Sequence, residues 1–321
     1  MPVMLSEGLL GRRVVLRHRR PVADGLPPLS DLVGVLSELT AESATVETRR
    51  GPVTVARSAV LLARPVSANR RAVLELERIS RAGWRAAEHL ELDGWLLFAD
   101  RGWTGRANSV LPLRTPAQPL ERLLDRARGY YAERGLALQI QLPMPARGLL
   151  DAELAARCWT IQRPTVVLTK ALDAAAEPAA IAGYQLQLAA APDADWLAGY
   201  HYRGGPLPAA AAQLLARHDR AQFASIRQGR QVVAIARGVV DEGWLGVSAV
   251  EVAPEHRRRG LAVQLMRQLA AWGVGQRAVN CYLQVDEANT AALALYARLG
   301  FIEHHRYHYR LEPPGAAAIA G

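Results

Sequence analysis

The chain has 321 residues, half of them apolar, and a mean hydropathy of −0.01. No run approaches the ~20 apolar residues of a membrane span, and no apolar stretch near the start leads to a small-residue cleavage site. Two cysteines, Cys158 and Cys281, exclude a disulfide framework and a cysteine zinc site, so a cytoplasmic location is expected. The net charge of +9 is carried almost wholly by arginine, with Lys170 the single lysine. Such uniform arginine use reads as compositional bias, so nucleic acid is not the expected partner. The clusters Arg17–Arg20 and Arg257–Arg259 still present guanidinium forks suited to phosphate.

At roughly 100–200 residues per domain, the length allows two or three domains. Residues 1–66 hold short β-branched runs: Val14–Leu16, Leu32–Leu36, Thr45–Thr48, Val53–Val55 and Val60–Leu62. Gly and Pro divide them, with a turn at Arg50-Gly51. This pattern predicts a small all-β barrel, similar to the Src-homology-3 type, a fold that implies no function by itself.

A helix is expected after Ser67 as cap, with Val73, Leu76 and Ile79 on its inner face. Strands are expected at Gly94–Phe98 and Thr104–Leu113, a helix at Leu120–Arg134 and a strand at Leu136–Leu142. A helix at Leu149–Trp159 and a strand at Thr165–Leu168 follow. Ala174–Pro178 reads as a linker. Beyond it the same order returns: strands at Val232–Val240 and Gly246–Val252, a helix at Leu261–Trp272, and a strand at Val279–Val285. A helix at Thr290–Leu299 and a strand at Tyr307–Leu311 complete it. Even the turns match, Gly102-Trp103 with Gly243-Trp244. Residues 67–172 and 180–313 are therefore expected to share one fold. The fold class is α/β, an α+β mixed sheet in tandem copies after the barrel, with a disordered tail at 314–321.

Chemistry concentrates at residues 250–263. A strand ends at Pro254, the basic loop Glu255-His256-Arg257-Arg258-Arg259 follows, and a helix opens at Gly260-Leu261-Ala262. Unpaired amides at a helix start, a glycine and a small first-turn residue make a cradle for a diphosphate. Neither a G-x-G-x-x-G fingerprint nor a Gly-Lys-Ser/Thr loop is present.

With Asn289 and the helix Ala294-Leu295-Tyr296-Ala297-Arg298-Leu299-Gly300-Phe301, the run Arg257-x-x-Gly260-x-Ala262 resembles the GNAT superfamily of acetyl-CoA-dependent N-acyltransferases over about residues 183–311. The middle region looks like a degenerate GNAT half, with Leu113-Arg114-Thr115-Pro116 where the loop would stand. The closer likeness is to an actinobacterial group with a leading barrel, some of whose members are named N-acetylglutamate synthase. Asp93–Leu97, Thr104–Pro112 and Tyr200–Gly204 carry it.

The resemblance implies acetyl-CoA as co-substrate and a primary amine as acceptor. Val250 to Val252 would pair with the pantetheine arm, and Arg257, Arg258, Arg259, Gly260, Leu261, Ala262 and Val263 would hold the diphosphate. Asn289 would bond near the arm while also suiting a helix cap. Tyr296 would protonate the leaving thiolate, although by itself it also fits a core position. The amine needs a base, and the candidates are Glu251 first, then Asp286, Glu287 and His201. Gln284 stands where some relatives carry a glutamate, and Gly246 near where others do. Arg203 would clamp the carboxylate of an amino-acid acceptor such as glutamate, beside His201 and Gln284, or pack at a helix end. A protein or polyamine amine, or a sensor that binds acyl-CoA without turnover, are the other readings. A homodimer is left open. His304, His305 and His308 lack a matching acid or cysteine, so no metal is expected, and Cys281 is expected to be buried.

Overall fold

The computed structural model describes residues 5–20, 27–48, 50–66, 69–172, 181–201 and 207–314. Ser67, the linker at Ala174–Pro178, Arg203 and the tail after Pro314 lie outside the described residues.

Strands β1 (Arg13–Arg19), β2 (Leu29–Leu39), β3 (Ser43–Thr48), β4 (Gly51–Ala56) and β5 (Val60–Pro65) form an antiparallel sheet of order β4-β3-β2-β1-β5. Alternation in β1 and β3 turns Val14, Leu16, Ala44 and Val46 inward, where they meet Leu9, Leu36 and Ala63.

Helix α1 (Arg70–Ala82) starts at Asn69, whose side chain accepts the Arg71 N–H at 2.9 Å. The cap is thus Asn69, two residues after the expected one. Then come β6 (Glu88–Leu92), β7 (Trp95–Ala99), β8 (Val110–Pro112), α2 (Leu120–Ala132), β9 (Gln139–Met144), α3 (Gly148–Ala156) and β10 (Thr160–Ala171). The strand expected over Thr104–Leu113 shrinks to β8. The buried Asn108 carboxamide accepts the Asp100 and Gly102 amides and donates to the Trp103 and Thr104 carbonyls, coiling that segment into a 3-10 turn over Gly105–Ala107.

The rest comprises β11 (Gln185–Ala189), α4 (Ala194–Ala198), α5 (Ala209–Ala216), β12 (Ala221–Gln228), β13 (Gln231–Asp241) and β14 (Trp244–Val252). It ends with α6 (Leu261–Gly275), β15 (Asn280–Asp286), α7 (Thr290–Arg298) and β16 (Ile302–Leu311). The sequence reading had missed β6, β11, β12, α4 and α5.

Among the described residues, β6 to β16 make one 11-stranded sheet, of order β11-β12-β13-β14-β15-β10-β16-β9-β8-β7-β6. The order reveals an exchange. β10, which follows β9 and α3 in sequence, leaves β9 and lies between β15 and β16. β16 in turn lies between β10 and β9. Two parallel pairs, β8–β9 and β14–β15, flank this central crossing.

Period-2 alternation along β15 fixes what each face carries. Cys281, Leu283 and Val285 join the core beneath α6 and α7, whereas Tyr282 packs with Leu76 and Ile79 of α1, Val167, Tyr307 and Tyr309 on the opposite face. Beneath α1 a buried polar network ties the crossing together. Glu77 Oε1 lies 2.7 Å from His305 Nε2 of β16, Glu77 Oε2 accepts from Gln141 of β9, and the buried Arg81 donates to Gln141 and Ser109. Buried polar groups persist when their bonds are satisfied in this way.

Candidate active site

The site begins where two parallel strands part. β14 pairs with β15 only from Trp244 opposite Asn280 to Val247 opposite Leu283. Past Leu283, β15 continues against β10 to Asp286, while β14 stays with β13 to Val252. A bulge causes the parting. Between Ile235–Glu251 and Arg237–Ser248 the β14 strand carries one residue more than β13, and Ala249 sits at φ 54°. Residues 248–252 therefore present a strand edge that no described strand covers, an edge able to pair with an extended amide-bearing ligand.

The same strand leads into the basic loop. Gly260 caps α6 at φ 81°, a left-handed conformation that glycine adopts without penalty, and open space surrounds the position its Cβ would take. The Gln264 N–H makes the bond to the Gly260 carbonyl at 3.0 Å, and no side chain caps the helix. The Leu261, Ala262 and Val263 amides therefore open the helix as unfilled donors. Leu261 is buried and anchors the turn in the core.

The three arginines divide in role. Arg257 donates to the Val252 carbonyl at 3.2 Å, and Arg259 donates to the Tyr184 hydroxyl and the Glu255 carbonyl, each at 3.1 Å. Both brace the loop. Arg258, at φ 60°, is exposed and has no hydrogen-bond partner among the described residues. The buried His256 locks the loop further through the Tyr184 hydroxyl, 3.1 Å from Nδ1.

Tyr296 lies on α7 in the core below the fork, edge-on to Phe301 at 5.8 Å and clustered with Cys281, Leu283 and Val285. Burial drives its phenol well above the usual tyrosine range, so it stays a protonated donor. Burial likewise raises the Cys281 thiol, which leaves it inert. Asn289 caps α7, accepting the Ala292 N–H at 3.0 Å.

Cross-strand partners share a face, so Ser248 and Glu251 point to the side of Arg237 and Ile235, opposite the α6 core that takes Val250 and Val252. Glu251 accepts the His201 backbone N–H at 3.0 Å on both oxygens, and Oε2 lies 3.3 Å from His201 Nδ1. Two residues singled out separately in the sequence thus form one pair. Gln284 instead belongs to a polar chain: Oε1 accepts from Arg106 at 2.6 Å and Tyr307 at 3.3 Å, and Nε2 donates to Ser80. Asp286 accepts the Ala288 N–H within its own turn, and Glu287 pairs with Arg306.

The sequence reading missed a cavity on this face, lined by Trp84, Arg106, Arg237, Ser248, Tyr282 and Gln284. A Cβ on Gly246 would run into the Tyr282 hydroxyl, so glycine there lets the tyrosine cross β14. Arg237, 1% exposed, was visible as the single charge inside an apolar strand.

No set of three His, Cys, Asp or Glu residues placed to hold a metal exists among the described residues, and no described helix is long and apolar enough to cross a membrane. His304 faces His305, which faces Glu77, while His308 meets Asp151.

Residues 71–310 match the family model described as the C-terminal part of the probable histone acetyltransferase Rv0428c, and residues 9–64 match the Rv0428c N-terminal Sm-like domain. The small all-β unit is thus Sm-like. The chain is 35% identical to the "Probable histone acetyltransferase Rv0428c" of Mycobacterium tuberculosis, over 95% of this chain and 96% of that protein. It is 25% identical to the "Uncharacterized N-acetyltransferase YobR" of Bacillus subtilis, over 75% of this chain and 98% of that one. Among solved structures, a GCN5-related N-acetyltransferase from Kribbella flavida superposes with a TM-score of 0.56 at 19% identity, covering 77% of this chain and 97% of its own. By these matches the chain belongs to the Rv0428c family of GNAT acetyltransferases and is an acyltransferase with an N-terminal Sm-like domain.

Proposed function

We propose that the protein transfers acetyl from acetyl-CoA to the primary amine of a small molecule, an amino acid such as glutamate foremost, by direct attack at the β14–β15 fork. The observation that carries this reading is the continuity of two features on one segment. The uncovered edge at 248–252 runs straight into a loop that ends at the uncapped start of α6. An acyl thioester carrier needs both, amide pairing for its arm and N–H donors for its diphosphate, and the open space at Gly260 leaves room for the latter.

Bound acetyl-CoA supplies the activated thioester. The residues supply the rest. The Leu261, Ala262 and Val263 amides and Arg258 hold the diphosphate, while Arg257 and Arg259 fix the loop that presents them. An amide on the uncovered β14 edge stabilises the oxyanion. Glu251, aligned by the His201 N–H, takes a proton from the acceptor ammonium, and the Tyr296 hydroxyl donates one to the departing thiolate. A protein amine is the second reading. It is favoured by the name of the Mycobacterium tuberculosis relative and by the exposure of the His201 side chain, 63%, beside Glu251.

The deciding experiment releases free CoA from acetyl-CoA in the presence of amino acids, polyamines and peptides in turn. Turnover confined to amino acids supports the proposal, and turnover confined to peptides replaces it with the second reading.

A further inference from the structure

A larger cavity, of about 210 Å³, lies where the Sm-like unit meets the 11-stranded sheet. Arg12 and Arg13, at the start of β1, line it together with Glu303, His304, His305 and Arg306 of β16. Three guanidiniums thus share one lining carboxylate. Glu303 takes both arms of the Arg306 fork at 3.0 Å and stands 3.8 Å from Arg12. Arg13 is left over. The alternation that buries Val14 and Leu16 turns it outward, half-buried, with no hydrogen-bond or ion-pair partner among the described residues.

His304 supplies a second half-empty position. Its Nδ1 lies 2.7 Å from His305 Nδ1, and the buried His305 sets Nε2 2.7 Å from Glu77 Oε1. His304 Nε2 has no hydrogen-bond partner among the described residues. Two Nδ1 atoms in contact share one hydrogen, so the order of protons along this chain decides what Nε2 presents. Glu77 Oε2 already accepts from Gln141 and Ser80, as an ionised carboxylate does. With His305 donating to Glu77 and accepting from His304, Nε2 is a bare lone pair. For Nε2 to donate, His305 must donate to His304, and one further proton must lie between His305 and Glu77. Burial, His305 and Arg13 hold His304 itself down at about 4, so that proton does not reside on His304. The charged groups around it are Glu77 and Arg81 of α1, Arg13 of β1, and Glu303 and Arg306 of β16. Glu77 favours the added proton and Arg13 opposes it; an anion lying against Arg13 cancels the opposition.

We propose that this cavity binds a phosphate group, free or at the end of a small ester, between the Arg13 guanidinium and the His304 Nε2–H, and that binding draws one proton into the His305–Glu77 pair. The oxygens of a phosphate point in several directions and can take the guanidinium fork and the imidazole at once, whereas the coplanar oxygens of a carboxylate are filled by the fork. The occupant joins the Sm-like unit to β16. Nothing in this inference depends on the acetyl-transfer reading.

The test is calorimetric titration of the full-length Gly260→Asp variant, whose α6 start repels anions, near neutral pH. One phosphate should bind per chain, at least tenfold more tightly than acetate. Sulfate, which does not itself titrate there, should bind with uptake of about one proton, read from the dependence of the heat on the buffer's ionisation enthalpy. Adding Arg13→Gln should weaken phosphate at least tenfold, and adding His304→Phe should weaken it and abolish the proton uptake. Arg13 has no partner to lose, so Arg13→Gln decides the matter should His304→Phe fail to fold. Tighter binding of glycerol phosphate than of inorganic phosphate assigns the site to an ester, and the reverse assigns it to the free ion. Absence of phosphate binding overturns the proposal. So does equal affinity for acetate, unchanged affinity in Arg13→Gln, or sulfate binding without proton uptake. A failure to release CoA with any amine would remove the proposed reaction and leave these results as they stand.

Discussion

Glu251 and His201 are joined across 50 positions of sequence by a backbone N–H that both carboxylate oxygens accept at 3.0 Å. The bond holds the carboxylate on the face of β14 opposite α6, four residues past Val247, the last β14 residue paired with β15. Replacing Glu251 by Gln keeps an acceptor for that N–H and removes the charge. Turnover should fall by ~10²-fold, the size of a lost general base, while calorimetric acetyl-CoA affinity stays within twofold. A wild-type rate would return the base role to solvent.

Gly260 tests the cradle. Its φ of 81° costs an L-residue roughly 1 kcal/mol or more, and an Asp side chain would add negative charge at the position proposed for the diphosphate. Gly260→Asp should weaken acetyl-CoA binding at least tenfold. Gly260→Ala, which shares the backbone strain without the charge, should weaken it less. Equal losses in the two variants would assign the effect to strain alone.

Tyr296 separates chemistry from packing. Its ring fills core against Phe301, and its hydroxyl has no hydrogen-bond partner among the described residues. Tyr296→Phe should therefore leave stability within ~1 kcal/mol yet reduce kcat by ~10- to 100-fold with KM little changed. Chemical denaturation and steady-state rates on one preparation give both answers. An unaltered kcat would make the residue a core tyrosine only.

Acid should destabilise the fold through buried imidazoles. Burial pushes His218 down to about 4, aided by the charges of Arg85 and Arg237, and its Nδ1 accepts the Arg220 N–H at 3.1 Å. His304 is also lowered to about 4, by burial and by His305. A depressed native value means that the unfolded chain binds more protons between about 4 and 6.5. Stability is thus full above 6.5 and drains away as the pH falls toward 4. For His218 the loss amounts to ~3 kcal/mol. Denaturant midpoints measured from pH 7 to 4 should slope downward, and His218→Gln should flatten the slope.

What the sequence disclosed follows periodicity and punctuation. Leu261, Leu265 and Leu269 on α6, the alternation of β15, and Gly260 after a strand are local patterns, and each appears where expected. Asn69, rather than Ser67, caps α1 because two polar residues with equal cap chemistry stood in reach. The turn at Asn108 escaped notice because one carboxamide with four backbone partners overrides strand propensity, and no periodicity records that. The site was half legible for a similar reason. The loop proposed for the diphosphate is contiguous, whereas Trp84, Arg106 and Arg237 lie far apart in sequence and meet only around one cavity.

The crossing of β10 and β16 has a further consequence. Residues 69–144 lean on a strand from the far end of the chain, and residues 181–286 lean on one from before the linker. Neither can be expressed, inherited or discarded without stripping a wall from the other. The portion without a glycine loop is therefore no vestigial passenger: it lends the fork its outer buttress, and a lesion in either portion would be felt in both.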